Sequence, residues 1–168
     1  AHSLDGYFSP LPSTRTATAP VYLTGQEARL DVHRRRRRVD LVVVGKGTVA
    51  ADRPVLDGRL ATGMPDVPSA EPTAAYVDTN LGWNEGFARE RYVVFAGQSA
   101  GQSPNRAAIE ADGGTIIFCG EKGGRVDPAD LVVQAAAAGC TKMGEAAMGS
   151  AKMVAARNTA RDRRIIMA

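Results

Sequence analysis

Two kinds of residue in this sequence have the types and spacing to do chemistry. Residues 33 to 38 read HRRRRR, and a guanidinium group presents a planar fork of N–H donors that matches a carboxylate or a phosphate. Two acids lie next to glycine-containing turns: Asp52 closely follows GKGT (45–48), and Glu145 precedes AAMGS (146–150). Each carboxylate could orient or relay a proton if a reacting group lay beside it.

Each of these features also has an ordinary structural explanation. Asp52, which precedes Arg53 and Pro54, could simply set a turn, and Glu145 could cap the helix that follows it. A short glycine pair forms a tight turn more often than a nucleotide site, and the spacing here is not that of a P-loop. The residues alone therefore leave a catalytic role for either acid open.

The arginine run accounts for the basic character of the chain. Removing its five arginines from the 21 Lys and Arg leaves 16 basic residues against 18 acidic ones. Proteins that follow a phosphate backbone usually spread basic residues along a face and place aromatic residues among them. Here 5% of residues are aromatic and none interrupts the run. We expect no nucleic-acid partner, and a nucleic-acid-binding module that uses Arg34 to Arg38 stays an alternative hypothesis.

The element that carries the run decides which arginine can reach a buried site. Residues 26 to 38 contain no Gly or Pro, and they are predicted to form a helix. Because successive helical residues advance by about 100°, five consecutive arginines surround the axis and at least one must point inward. Arg36 shares i, i+4 spacing with Ala28 and Val32 and is the predicted inward arginine. It then needs an internal carboxylate or a ligand phosphate as its partner.

From residue 39 onward the chain alternates β-branched segments with helical patterns, which is typical of parallel strands joined by crossover helices. We therefore expect a single-domain α/β fold with a mostly parallel, twisted sheet flanked by helices. Strands are predicted at 39–45, 74–79, 91–96, 114–120 and 140–144 and in the final RRIIMA. Helices are predicted after Ser103-Pro104, after Asp127-Pro128 and from about residue 147 to 158, with Gly113 and Gly139 ending the first two.

Length and composition exclude several other classes. The 168 residues, of which 44% are apolar, suffice for one globular domain. No apolar run approaches the roughly 20 residues that span a bilayer, and no leader opens the chain, so we expect a cytoplasmic protein without a membrane partner. Cys119 and Cys140 fit reduced thiols, and with His2 and His33 they show no metal-site spacing, so we expect no metal.

Taken together, several motifs resemble the RibD C-terminal reductase family. They occur in that family's order and approximate spacing: SLDG (3–6), YLTGQEAR (22–29), VHRRRRRVDLVVVGKGTVAADRPVL (32–56), YVDT (76–79) and GEAAMGS (144–150). The resemblance covers nearly all of the chain. It implies a dihydrofolate-reductase-like fold, a homodimer and a step of riboflavin biosynthesis. In that step NADPH reduces the ribosyl group of 5-amino-6-(5-phosphoribosylamino)uracil, or of its 2,5-diamino analogue, to the ribitylamino product.

The resemblance also implies roles for individual residues. The substrate, a small phosphorylated pyrimidine, would contact Arg36, Leu56, Arg59 and Glu145, so the family uses the same arginine that helical phase selects. Asp52 and Glu145 would be the catalytic acids. The NADPH-binding positions would be Tyr22, Thr48, Asp52, Thr79, Ala147, Met148, Gly149 and Ser150, the last four near the cofactor's phosphates at a helix N-terminus.

The sequence departs from the family's pattern at a few of these positions. The acid pair expected before proline is Asp52-Arg53 here, the glycine pair after Glu145 is Ala146-Ala147, and Pro20 replaces an expected serine. These departures favour two alternatives: an NADPH-dependent reductase of the same fold acting on a pterin, folate-like or other carbonyl substrate, and a non-catalytic, oligomerising descendant. The resemblance further implies that the family's first strand would precede residue 1 and that its C-terminal strands would follow residue 168.

Overall fold

A computed structural model of the chain describes residues 24–85 and 87–140, together with the backbone of residues 166 and 167. Its main sheet contains β1 (Leu41–Gly45), β2 (Thr73–Val77), β3 (Tyr92–Gly97), β4 (Gly114–Cys119) and β7 (Ile166–Met167). These strands are parallel and lie in the spatial order β4-β3-β2-β1-β7. A two-stranded antiparallel hairpin, β5 (Glu121–Lys122) and β6 (Arg125–Val126), follows β4.

Residues 24–85 and 87–140 contain four α-helices. They are α1 (Gln26–Arg36), α2 (Lys46–Asp52), α3 (Arg106–Ala111) and α4 (Pro128–Ala137). Short 3₁₀ helices occupy Arg59–Ala61 and Gln98–Gln102. None of the helices within the described ranges has the length and apolar character that crossing a bilayer requires.

The strands form because runs of β-branched and aromatic residues can bury both faces of a sheet between helices. Val42 and Val44 lie on one face, where Ile109 of α3 belongs to the same buried cluster. Val43 lies on the other face, in a buried cluster with Leu131 of α4. At about 25 cal/mol per Å² of apolar surface, these two cores are the main source of stability. The predicted α/β class is confirmed.

Several local predictions can be compared with these elements. The strands predicted at 39–45, 74–79, 91–96 and 114–120 are confirmed to within two residues. Asp127 caps α4 as predicted, because its Oδ1 accepts a hydrogen bond from Ala129 N at 3.0 Å. The strand predicted at 140–144 and the helix predicted at 147–158 lie almost wholly outside the described residues.

Two local predictions differ from the structure. The helix predicted to start at Ser103-Pro104 begins later, at Arg106, so Ser103 is not its N-cap residue. In the turn before this helix, Ser103 Oγ accepts a hydrogen bond from Asn105 N at 3.4 Å, and its hydroxyl donates to the Leu81 carbonyl at 3.3 Å. The GKGT stretch (45–48), expected to be a glycine-containing turn, instead forms the start of α2, which begins at Lys46 immediately after β1. Gly47 therefore lies inside a helix, where its low helix propensity is outweighed by the fold around it.

Candidate functional site

The arginine run lies at the end of α1 and does not present five side chains to solvent. Arg34, Arg35 and Arg38 are exposed, whereas Arg36 is half-buried and Arg37 retains 6% of its exposure. The prediction that Arg36 is the most inward arginine was therefore wrong. Its reference residue Val32 is 45% exposed, and the buried residues one turn apart are His33 and Arg37.

Arg37 is saturated by protein acceptors. Its Nε donates to the Gly58 carbonyl at 3.0 Å, and its Nη1 donates to the Ser69 carbonyl at 2.6 Å. Its Nη2 donates to Thr62 Oγ1 at 2.7 Å and forms a salt bridge with Glu71. The second oxygen of Glu71 accepts from Gly58 N at 2.8 Å. The internal salt bridge that was one of the two possibilities for Arg36 is made by Arg37 instead, and it holds the loop of residues 58–71 against α1.

Arg36 lies in a different environment, close to one acid. Its Nη1 donates to the backbone carbonyl of Asp57 at 3.3 Å, which is a long hydrogen bond. Arg59 Nη1 reaches both carboxylate oxygens of Asp57 at 2.9 Å. Burial and the neighbouring Arg59 lower the pKa of Arg36, and Asp57 opposes this change. Two guanidinium groups thus meet at a single anionic residue.

His33 completes this group. Its Nδ1 lies 3.8 Å from Asp57 Oδ1, too far for a hydrogen bond, and within the described residues this buried atom has no hydrogen-bond partner. Burial, followed by the positive charge of Arg36, lowers the pKa of His33, while the carboxylate of Asp57 and a hydrogen bond with the Asp57 backbone raise it. We call His33, Arg36, Asp57 and Arg59 the Asp57 cluster.

Leu56 determines where Asp57 points. Its side chain is buried at 2% exposure, and its backbone has a φ of 56°. This left-handed conformation costs a residue with a Cβ atom roughly 1–2 kcal/mol, so the surrounding packing must hold it. The buried side chain anchors the turn, and Asp57 is thereby directed toward α1. Of the predicted substrate contacts, Arg36, Leu56 and Arg59 therefore lie together.

A second polar region lies at the carboxyl ends of the central strands, where parallel sheets usually bind ligands. The Lys46 ammonium group, at the end of β1, contacts Asp78 Oδ1 at 3.2 Å. Asp78, directly after β2, is 3% exposed and also accepts from Trp83 N at 2.8 Å. We call Lys46, Thr48, Asp52, Asp78 and Thr79 the strand-end region.

Thr48 and Asp52 lie one helical turn apart on α2, and both are exposed. A Cβ atom built on Gly45 or Gly47 would meet nothing within 4 Å. The start of α2 is therefore not covered by other described residues, and a cofactor ring could approach its backbone closely. These residues fit the nicotinamide cofactor that the resemblance implies.

Thr79 is tied to the hairpin that follows β4. Its hydroxyl oxygen accepts from Val126 N at 3.2 Å, and its carbonyl accepts from Gly97 N at 2.9 Å. On the same hairpin, Glu121 accepts from Ser99 N at 2.9 Å, and this hydrogen bond lowers the pKa of its carboxyl group. Sequence patterns did not indicate the hairpin, because its strands are only two residues long.

The remaining predicted site residues lie outside the described residues: Tyr22, Glu145, Ala147, Met148, Gly149 and Ser150. Across residues 24–85 and 87–140, no group of three or more His, Cys, Asp or Glu side chains could hold a metal ion. Sequence reasoning did not select His33, Asp57, Lys46 or Asp78 as site residues. The available signal for Asp57 was its position between two predicted substrate contacts.

Comparison with known proteins relates this chain to reductases of riboflavin biosynthesis. The family profile of the RibD C-terminal domain matches residues 1–156. Over 42 residues the chain is 52% identical to the riboflavin biosynthesis protein RibD of Mycobacterium tuberculosis (strain ATCC 25618 / H37Rv), a match that spans 25% of this chain and 12% of that protein.

Solved structures that match this chain include two reductases of riboflavin biosynthesis. RibD of Acinetobacter baumannii superposes with a TM-score of 0.51 at 21% identity, covering 76% of this chain and 34% of that one. The riboflavin biosynthesis reductase Rib7 of Saccharomyces cerevisiae gives a TM-score of 0.47 at 21% identity, covering 64% and 46%. Each match spans less than half of the relative's length. The likeness to the Acinetobacter structure agrees with the expected dihydrofolate-reductase-like fold.

Proposed function

Because this chain belongs to the RibD C-terminal domain family, we propose that it is an NADPH-dependent reductase of riboflavin biosynthesis. Its substrate in this proposal is 5-amino-6-(5-phosphoribosylamino)uracil or the 2,5-diamino analogue, and its product carries a ribitylamino group. The observation that carries the proposal is the Asp57 cluster, in which two guanidinium groups converge on one residue: Arg36 donates to the backbone carbonyl of Asp57, and Arg59 donates to its carboxylate.

The Asp57 cluster suits a phosphate monoester. Arg59 is 57% exposed, so a ligand can reach it from solvent, whereas Arg36 is half-buried and strengthens the attraction for an anion. Two guanidinium forks can share the oxygens of one phosphate. Leu56, held against the core, would fix the wall beside the sugar. Binding the terminal phosphate limits the positions that the sugar carbon can adopt, and this orientation is itself a large part of catalysis.

The reduced nicotinamide, when bound, supplies the hydride that converts the opened carbonyl or imine form of the sugar carbon to its reduced form. The chain's residues bind, orient and move protons. Thr48 and Asp52 would hold the nicotinamide half along the exposed face of α2, and Thr79 would contact the cofactor further along the sheet. Tyr22 and the turn Ala147, Met148, Gly149 and Ser150 complete the proposed cofactor contacts.

Two carboxylates are the proposed proton-handling groups. Asp52 lies at the end of α2 beside the open strand ends, where it could relay a proton between solvent and the substrate. Glu145 is the second candidate and would also contact the substrate. Lys46, paired with Asp78 on the same edge, keeps the local charge close to balanced.

Cofactor binding is the first test. Calorimetric titration of the full chain with NADPH, with NADH alongside, is expected to show selective binding of NADPH that survives moderate salt. Asp52→Asn is expected to weaken it, whereas Asp66→Asn, a matched change of an exposed acid in the 63–70 loop, leaves it unchanged. A folded chain that binds neither nucleotide would contradict the proposal.

Turnover separates this proposal from its closest alternative. With the phosphorylated ribosylaminopyrimidine, oxidation of NADPH is expected, and it should fall sharply when the same compound lacks its phosphate. A pterin or another carbonyl compound that is reduced as well as the phosphorylated pyrimidine would favour the alternative reductase.

We also propose that the chain forms a homodimer, as the resemblance implies. Sedimentation measurements across a range of protein concentrations would test this. A mass that stays that of one chain at all concentrations would contradict the homodimer.

Nucleic acid is not part of this proposal, although the chain carries an arginine run. Arg37 is buried, and the guanidinium group of Arg35 donates to Asp31 at 2.7 Å, so these two arginines are already engaged within the protein.

A further inference from the structure

The acid at the centre of the Asp57 cluster already occupies the position that the proposed function gives to a phosphate. In the part of the chain that the structure describes, the carboxylate of Asp57 accepts two hydrogen bonds from Arg59, and its backbone carbonyl accepts one from Arg36. Its side chain is 17% exposed, so the two arginines face an internal anion that is largely shielded from water. A phosphate that binds these arginines must displace this carboxylate, because two anions cannot share them without strong repulsion.

His33 offers the displaced carboxylate a new partner. Its side chain is 10% exposed, and its Nδ1 has no hydrogen-bond partner in the part of the chain that the structure describes. The gap of 3.8 Å to Asp57 Oδ1 exceeds a hydrogen bond by less than 1 Å. A small rotation of the Asp57 side chain would close it.

Burial and the charges around His33 explain why its pairing with the Asp57 carboxylate is not already closer. Burial disfavours the imidazolium form most, and Arg36 on the same helix and Arg59 on the facing 3₁₀ helix disfavour it further. Arg29 and Arg37 lie one turn away on either side of His33 along α1, and Asp57 is the acid that faces it. A bound anion would neutralise Arg36 and Arg59 and would free Asp57, so both changes favour protonation of His33.

We infer that the carboxylate of Asp57 competes with the substrate's phosphate for Arg36 and Arg59. When an anion displaces this carboxylate, the carboxylate pairs with His33, and His33 takes up a proton. Asp57 and His33 act as positioning residues of the anion site and do not touch the reacting atoms. This inference rests on the proposed function, since it deepens the role of Arg36 and Arg59. This exchange makes anion binding stronger as the pH falls toward the range in which His33 accepts a proton.

Sulfate is a suitable probe, because it keeps its charge over the pH range in which histidine titrates. The chain has only two histidines, His2 and His33, so their imidazole proton signals can be followed by NMR and assigned with His33→Gln. Titration curves recorded without and with saturating sulfate are expected to show the proton affinity of His33 rising about tenfold, and that of His2 staying constant.

Asp57→Asn distinguishes the exchange from direct contact between anion and imidazole. The variant lacks the competing charge, so it is expected to bind sulfate about tenfold more tightly, equivalent to 1.4 kcal/mol. The titration curve of His33 in this variant is expected to change little with sulfate, because residue 57 then has no carboxylate that could pair with His33. If His33 still responds fully in Asp57→Asn, the anion protonates it directly and the inference is overturned.

The remaining outcomes separate this inference from the proposed function. If sulfate binds, and Arg36→Ala abolishes that binding, but the His33 curve does not move, the phosphate site stands and the exchange is wrong. If a chain with a native circular dichroism spectrum shows no sulfate-dependent signals at all, the phosphate site and the exchange both fail. Arg38→Ala, an exposed arginine outside the cluster, serves as the matched charge control.

Discussion

Arg36 and Arg37 are neighbours in the sequence, yet the structure gives them opposite environments. Arg37 is sealed at 6% exposure and satisfied by Glu71 and several neutral oxygens. Among the residues that the structure describes, Arg36 makes one long hydrogen bond, to the Asp57 carbonyl. A guanidinium group has five N–H donors, so the described residues engage those of Arg37 and leave those of Arg36 largely available. The number of protein acceptors around an arginine therefore separates a structural role from a binding role.

The largest expected effect is on the structural side of this comparison. Arg37→Met keeps the aliphatic stem but leaves Glu71 and the carbonyls of Gly58 and Ser69 without their donor. Breaking a buried pair in this way costs about 3–5 kcal/mol, and the lower end applies because Glu71 is 35% exposed. Urea unfolding followed by circular dichroism should show this loss. Arg38→Met, on an exposed neighbour, is the control, and equal stability of the two variants would contradict the structural role.

On the binding side, Arg36→Ala is expected to impair ligand binding far more than stability. Removing one charge-assisted contact to a phosphate costs about 1.5–3 kcal/mol, so KM for the phosphorylated substrate should rise roughly 10- to 100-fold. The urea midpoint should change little, since one 3.3 Å hydrogen bond is lost. Steady-state kinetics with Arg35→Ala as a control would measure the difference. If Arg36→Ala unfolds the chain as Arg37→Met does, the comparison between the two arginines fails.

The sequence predicted that one arginine of the run must be buried, but it could not identify which one. Helical phase is read from apolar residues, and α1 has too few of them: Val32, the chosen reference, lies 45% exposed. Burial of Arg37 is decided by the carbonyl groups of the 58–71 loop, and their positions depend on tertiary structure. The strands were predictable because their β-branched runs fill both faces of the sheet. Asp57 and His33 were not, since a single acid or histidine carries no periodic signal.

A smaller effect is expected from His33, which shares the buried face of α1 with Arg37. Its lowered pKa means that the folded state binds fewer protons than the unfolded state below about pH 6.5, the ordinary histidine value. Stability should therefore fall as the pH drops through this value. His33→Gln should remove this part of the pH dependence in urea unfolding curves recorded between about pH 5 and 7.5. An unchanged pH profile would show that His33 is not held neutral by its surroundings.

The smallest effect on stability is expected for the exposed ion pair within α1. Arg35 pairs with Asp31 one turn earlier, and their side chains are 69% and 53% exposed. Such pairs contribute about 0.3–0.5 kcal/mol and are screened by salt. Asp31→Asn should therefore shift the urea midpoint only slightly, and added salt should remove the difference. A loss as large as that of Arg37→Met would mean that exposure does not decide the role of these arginines.

The absence of a side chain at Gly58 has an evolutionary consequence. A Cβ atom built there would overlap Arg37 Cγ, so even one methyl group requires the arginine stem to move. Alanine at position 58 becomes acceptable only after position 37 has been shortened, and an arginine can enter position 37 only while position 58 is glycine. The two positions are therefore epistatic. Across relatives of this chain, we expect a long residue at 37 to occur with glycine at 58.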